Sequence, residues 1–227
     1  MGRDERMIHI LAEARQHFAR HGFQAAVVSD IAKGAGVSEA TVFKYFPSKL
    51  DLLNSVIESW YSELFRDYSK ELAFVSGARE RARFLIWRHL NTLHDDPKMC
   101  RLMLSDVRMQ PGYEKSVLFR MNQRYTGLFM RVIRDGVSEG VFRDDISVEL
   151  IRNMVFGGME HHAWSYLFGK GSLDVEAVTH QLTSAICAGI ESAAPASDQA
   201  QVRRLSGIAA NLQKEVDRMT QKKRRPS

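Results

Sequence analysis

The chain has 227 residues, 44% hydrophobic and 26% charged, with a formal net charge of +5, a composition that suits a globular protein with a proper core and excludes a disordered one. No apolar stretch approaches the roughly 18 residues that span a bilayer, the charged N-terminus has no signal-peptide hydrophobic region, and two distant cysteines, Cys100 and Cys187, suggest neither a disulfide framework nor a zinc site. A cytoplasmic protein is expected, and because residues 194–227 hold eight Lys/Arg against three Asp/Glu, the excess charge lies in the tail and a nucleic-acid interface must be sought in local arrangement.

Apolar residues recur at helical spacing nearly throughout, with no convincing strand-like alternation, so the expected fold class is all-α. Helices are predicted over about 4–21, 28–34, 38–45, 48–75, 78–94, 97–110, 113–139, 147–168 and 173–191, broken at Gly- and Pro-containing positions such as His21-Gly22, Gly34-Ala35-Gly36, Pro47 and Pro111-Gly112. Helix length rises after residue 47. That change divides the chain into a helix-turn-helix domain at 1–47, a helical body at 48–193 and a tail at 194–227.

In the first helix Glu13, His17 and His21 step by four, a spacing able to hold a metal. Polar helix surface is the more ordinary reading, and no metal or cofactor is expected. The His161-His162 pair after Glu160 is weaker still, because adjacent side chains diverge by about 100° on a helix. No HExxH, Gly-rich phosphate loop, GxSxG or CxxC motif occurs, so no catalytic residue is assigned and an enzyme is not expected.

The stretch VVSDIAKGAGVSEATVFKYFPSK carries most of the functional information. Ile31 and small Ala32 are expected to face inward, Gly36 to supply a positive φ in the turn, and Val42 to close the helix pair. Ser38 is a preferred N-cap, with Val37 and Val42 placed for a hydrophobic staple. Val42 and Phe46 would anchor the third helix from behind. Thr41, Lys44 and Tyr45, at i, i+3 and i+4, would gather a hydroxyl, an ammonium and a phenol on the outer side, as an element entering a DNA major groove requires. Pro47 stops this helix and Ser48 caps the next, with Asp51 at the reciprocal position. Lys49 then opposes the helix dipole in the first turn, a placement that suits a bound phosphate.

Residues 8–53 resemble the DNA-binding domain of TetR-family transcriptional regulators: Phe-Ala-x-x-Gly-Phe closing helix one, then Asp-Ile-Ala, Ala-Gly-Val-Ser, Thr-Val-Phe-x-Tyr-Phe and Ser-Lys. The resemblance implies DNA contacts from Thr41, Lys44 and Tyr45, with Ser38 and Lys49 on the backbone. Two departures stand out. Ala26 and Val27 occupy places where the family often has a phosphate-binding Thr or Ser, a loss that Ser29 would partly replace, and Phe43 stands where a tyrosine is common. The resemblance further implies a homodimer reading a pseudo-palindromic operator, with the last two long helices of the body as the interface and small residues such as Gly157, Gly158, Ala185 and Gly189 allowing close approach.

Seven of the ten methionines fall between Met99 and Met159, among several aromatic residues, a mixture able to line an adaptable apolar cavity or simply to fill a core. By resemblance some of these line an effector pocket, for which Met103, Arg108, Phe129, Met130, Phe156 and Met159 are the candidates. The stretches MLSDVRMQPGYEKSVLFRMNQRYTGLFMRVI and IRNMVFGGMEHHAWSYL are similar to the fatty-acid-degradation repressors of the family, which respond to long-chain acyl-CoA. On that likeness the cavity takes the acyl chain and Arg108 or Arg124 meets the CoA phosphates; a surface salt bridge is the plain alternative for Arg108. In the tail, Val202, Leu205, Ala209, Leu212, Val216 and Met219 form a heptad seam, read as a coiled coil or as a helix lying on its own subunit. A rival function follows from it: a helical interaction protein with a weakened DNA face that works through this C-terminal coiled coil.

Overall fold

The computed structural model describes residues 2–192. The heptad seam and basic tail lie outside the described residues. Within them the chain is helical: α1 (Arg3–Ala25), α2 (Val28–Gly34), α3 (Glu39–Tyr45), α4 (Lys49–Leu72), α5 (Ala78–Asp95), α6 (Pro97–Arg101), α7 (Val117–Ser138), α8 (Val148–Leu167) and α9 (Val175–Ile190). No described helix is long and apolar enough to cross a membrane.

The helix starts follow local chemistry. Ser38, Ser48, Asp96, Ser116, Ser147 and Asp174 each accept the backbone N–H three residues on, which satisfies donors that helix geometry leaves unpaired, at about 1 kcal/mol per cap. The Asp51 carboxylate accepts the Ser48 hydroxyl at 2.7 Å.

Three expected helices are modified, the one expected over 113–139 beginning instead at Val117 after a 3-10 turn at Tyr113–Lys115. The break at Gly22 is a kink rather than an end, with φ 73° and ψ 173° and helix resuming to Ala25. The expected 97–110 helix ends as α-helix at Arg101 and continues as a π turn over Leu102–Val107, closed by the Arg108 N–H on the Met103 carbonyl at 3.0 Å. The Asp106 carboxylate accepts the Phe23 N–H at 2.7 Å, so the π turn holds the kink in α1.

Helices α1, α2 and α3 pack together at one end, and α1 also lies on α4 and on the π turn. In the body α5 packs on α9, α7 and α8, while α4 crosses α7. One apolar cluster runs from Ile10 and Phe18 through Leu52 and Ile57 to Val132, Val155 and Met159. Arg15 links α1 to Glu63 at 3.3 Å and Asp96 at 2.8 Å, but with 39% of its side chain exposed this pairing orients more than it stabilises.

Candidate DNA interface and effector cavity

A seven-residue helix such as α3 is unstable alone. Val42 and Phe46, 1% and 6% exposed, hold it from behind, each burial contributing about 1.5–3 kcal/mol. Ile31 and Ala32 of α2 are buried as expected, and Gly36 turns the chain at φ 68°. Ser38 accepts the Thr41 N–H at 3.2 Å, and the two hydroxyls lie 2.8 Å apart.

The outward face is rotated from the expected one. Ala40, Phe43 and Lys44 are its exposed centre, with Phe43 40% exposed, whereas Thr41 and Tyr45 are half-buried at its edges. The Tyr45 ring packs on the core cluster and its hydroxyl donates to the Arg3 carbonyl at 3.3 Å. The correction has a geometric cause. Seven residues make less than two turns, so burying 42 and 46 also draws 45 and 41 to the flanks.

Ser29 is exposed on the first turn of α2, while Ala26 is buried and Val27 is 51% exposed. Lys49 already has a partner, which the expected phosphate contact did not anticipate. Its ammonium donates to the Gln24 carbonyl at 3.0 Å and sits 4.9 Å from the Phe23 ring centroid. It therefore ties the end of α1 to the start of α4 while staying partly exposed. Ser29, Ser38, Lys49 and the α3 face thus lie on adjoining ends of α1 to α4.

In the body, a cavity of about 30 Å³ lies among α4, α5, α6, the π turn, α7 and α8, about the volume of one water. Of the six candidates, Met103, Arg108 and Phe156 line it. Phe129 stands behind Phe156, ring centroids 5.9 Å apart, Met159 is fully buried in the core, and Met130 is not on the wall. Arg124, the alternative cation, lies on the Phe65 ring at 4.2 Å. Arg108 does form the ion pair of the plain alternative, but a partly buried one: its Nη1 donates to both oxygens of Glu160 at 3.0 and 2.9 Å, in the cavity wall. Burial disfavours its charge, but Glu160, together with Tyr61 and Tyr113, more than offsets that penalty, so its pKa is raised.

The strongest cavity feature was not foreseen. His89 Nδ1 is 2.7 Å from the Tyr125 hydroxyl, which donates to Tyr68 at 3.3 Å, which donates in turn to the Arg88 carbonyl at 2.7 Å. With that direction of donation the proton sits on Nδ1. Nε2 is then a bare acceptor, buried and without a hydrogen-bond partner among the described residues. Burial, with the Arg108 guanidinium adding to it, pulls the His89 pKa down to about 3, and burial pushes Tyr68 up to about 12. Nothing in the spacing of α5 marks His89, because its partners come from α4 and α7.

A pH dependence follows. The folded protein keeps His89 neutral, while the unfolded chain takes up the proton below about 6.5. The stabilisation is therefore present above that pH and is lost as pH falls toward the folded value of about 3. From pH 7.5 to 5.5 the loss is about 1.4 kcal/mol. It is read as the difference in urea midpoints between wild type and His89→Gln, whose profile is expected to be flatter over that interval. Parallel profiles would mean that His89 is already protonated in the fold.

The comparisons with known proteins agree with this fold. The family described as "Bacterial regulatory proteins, tetR family" matches residues 10–56, and "Tetracyclin repressor-like, C-terminal domain" matches residues 76–190. The chain is 21% identical over 183 residues to the fatty acid metabolism regulator protein of Bacillus subtilis, covering 81% of this chain and 94% of that one. It is 26% identical over 195 residues to the transcriptional repressor KstR2 of Rhodococcus jostii, covering 84% and 94%. Among solved structures, FadR from Bacillus subtilis in complex with stearoyl-CoA has the same fold, with a TM-score of 0.73 at 21% identity and coverage of 81% and 98%.

Proposed function

The chain belongs to the tetR family of bacterial regulatory proteins, and from that premise we propose that it is a cytoplasmic repressor whose dimer leaves a pseudo-palindromic operator when an acyl-CoA-type effector enters the body. A ligand-responsive, DNA-binding dimeric regulator is what the family provides; it is not an enzyme. The repressor sign, the operator symmetry and the effector class are this proposal's own. It divides the work between a DNA-reading head, 1–47, and an effector-binding and dimerising body, 48–193. The observation that carries it is α3, a helix held from behind by Val42 and Phe46 with Lys44 and Phe43 presented outward. Lys44 would meet a base edge or phosphate, Phe43 a thymine methyl, and Thr41, Tyr45, Ser29, Ser38 and Lys49 the flanking backbone.

The effector class is supported by the likeness to a fatty acid metabolism regulator and to FadR in complex with stearoyl-CoA, and by the aromatic and methionine lining of the cavity. A cavity of about 30 Å³ admits no acyl chain until its walls separate, since sites for ligands of that size occupy about 300–1,000 Å³. The ligand consequently binds only an expanded body, and this unequal affinity for two states is what a switch requires. The π turn is one of those walls and also holds α1 through Asp106, so expansion displaces the heads. The dimer surface of this reading runs along α8, where Leu150, Met154, Trp164 and Phe168 are 38–55% exposed beside the exposed Gly157 and Gly158.

The test is duplex binding followed by fluorescence anisotropy over a salt series. Log affinity is expected to fall linearly with log salt, with a slope of about −4 to −8 for the few phosphates each head can reach, and stearoyl-CoA is expected to release the duplex. A purified dimer that ignores random and promoter DNA alike at low salt would sink the proposal.

A further inference from the structure

Two concavities share one wall. The α6–π segment presents Cys100 and Met103 to the internal cavity. Lys98, Arg101, Ser105 and Asp106 of the same segment line a second, outward groove of about 230 Å³, whose opposite side is the end of α1 with Arg20 and His21. The groove is thus built half from the head and half from the body.

Its charge is unbalanced. Among the described residues Arg20, Lys98 and Arg101 form no ion pair, and Arg20 has only the Gln16 side-chain oxygen at 2.9 Å. The single carboxylate in the lining, Asp106, is engaged by the Phe23 N–H. The Ser105 hydroxyl oxygen is buried with no hydrogen-bond partner among the described residues. Three guanidinium or ammonium groups around one concavity match the oxygens of a phosphate, which takes both charge and several donors at once.

We propose that this groove is a phosphate-binding site that takes the phosphate-bearing head of an amphipathic effector whose apolar end occupies the cavity on the other side of the α6–π wall. The proposal rests on the reading of the body as an effector-binding domain, and it identifies where the polar half of that effector is recognised. Arg108, committed to Glu160 inside, is not the phosphate ligand; Lys98 and Arg101 are, with Arg20 contributed by the head. A phosphate here straddles the joint between the two parts. It also stands beside Asp106, and repulsion between the two anions opposes the bond that holds Phe23 and the kink of α1. Filling the groove therefore loosens the grip of the body on the head, in the same direction as expansion of the cavity.

The experiment is calorimetric titration of the full-length dimer with three probes: coenzyme A, stearoyl-CoA and stearate. Wild type is expected to bind coenzyme A in a salt-dependent way and stearoyl-CoA more tightly. Lys98→Glu with Arg101→Glu is expected to weaken both at least 10-fold while leaving stearate affinity and ligand-free duplex binding unchanged. The milder Lys98→Gln with Arg101→Gln pair, with an unaltered thermal midpoint, is expected to show the same order of effects if the reversed pair does not fold. Undiminished coenzyme A and stearoyl-CoA affinity in the variants overturns the groove and leaves the regulator reading standing. Loss of duplex binding by the variants without ligand, with their coenzyme A response intact, also overturns it, because the cations would then serve the DNA backbone. A wild-type chain that binds neither duplex nor any probe overturns both readings.

Discussion

Lys44→Ala is expected to weaken binding to the protein's selected duplex about 100-fold while leaving the dimer and its thermal midpoint unchanged. Lys44 is exposed at the centre of the α3 face and is 0 for 2 in the roles that would complicate its removal: it packs in no part of the core and forms no ion pair among the described residues. Loss of one such contact costs about 1–3 kcal/mol. A two-fold dimer loses it in both half-sites, so even about 1.4 kcal/mol per head compounds to two decades. Tyr45 is a useful contrast. Its ring is part of the packing of α3 and its hydroxyl is bonded to Arg3, so Tyr45→Ala is expected to lower the thermal midpoint as well as DNA affinity, and Tyr45→Phe is the cleaner probe of the hydroxyl. Anisotropy with the selected duplex and sedimentation of the free protein separate the two effects. Full affinity in Lys44→Ala would mean that α3 does not face the groove.

Gly136→Ala is expected to destabilise the body by at least about 2 kcal/mol, although alanine is the better helix former by about 1 kcal/mol. Gly136 lies inside α7, and a Cβ there would stand 2.3 and 2.5 Å from two ring carbons of Phe142 and 2.9 Å from the Ala78 Cβ. Phe142 cannot yield easily. It is 2% exposed, and its N–H and that of Val141 both donate to the Gly136 carbonyl, at 3.0 and 2.8 Å. Overpacking of a closed core costs about 1–3 kcal/mol and occasionally more, and here the obstacle is an aromatic ring pinned through its own backbone. For a chain of this size the loss corresponds to a fall of about 4–8 °C in Tm by calorimetry, with Gly136→Val falling further. An unchanged or higher Tm would show that the turn after α7 can shift to make room.

Several parts of the molecule were legible from residue types alone because their causes are local. Ser38 and Ser48 cap helices through bonds to residues three positions on. Gly36 has the positive φ its turn requires, and the backing of α3 by Val42 and Phe46 follows from helical period. Where the α3 face points was legible only approximately. A short helix has no surplus of core-facing positions to define its orientation, and Arg3, distant in sequence, decides where Tyr45 rests.

The effector cavity was much less legible, for a physical reason seen at His89 and Arg108. Met103, Arg108 and Phe156 reach the cavity while Phe129 and Met159 fill core, yet all five are residues that do either job. The choice depends on how α4, α5, α7 and α8 are rotated against each other. The π turn, the Asp106 bond to Phe23 and the clustering of Arg20, Lys98 and Arg101 likewise join segments that are about 80 residues apart. By itself the sequence determined the all-α class, the helix-turn-helix and its capping chemistry, since each is set by interactions within a few residues. Only the tertiary structure decided which side chains line the cavity, which glycine is irreplaceable and how body and head are joined, because burial and charge pairing there are properties of helices brought together from far along the chain.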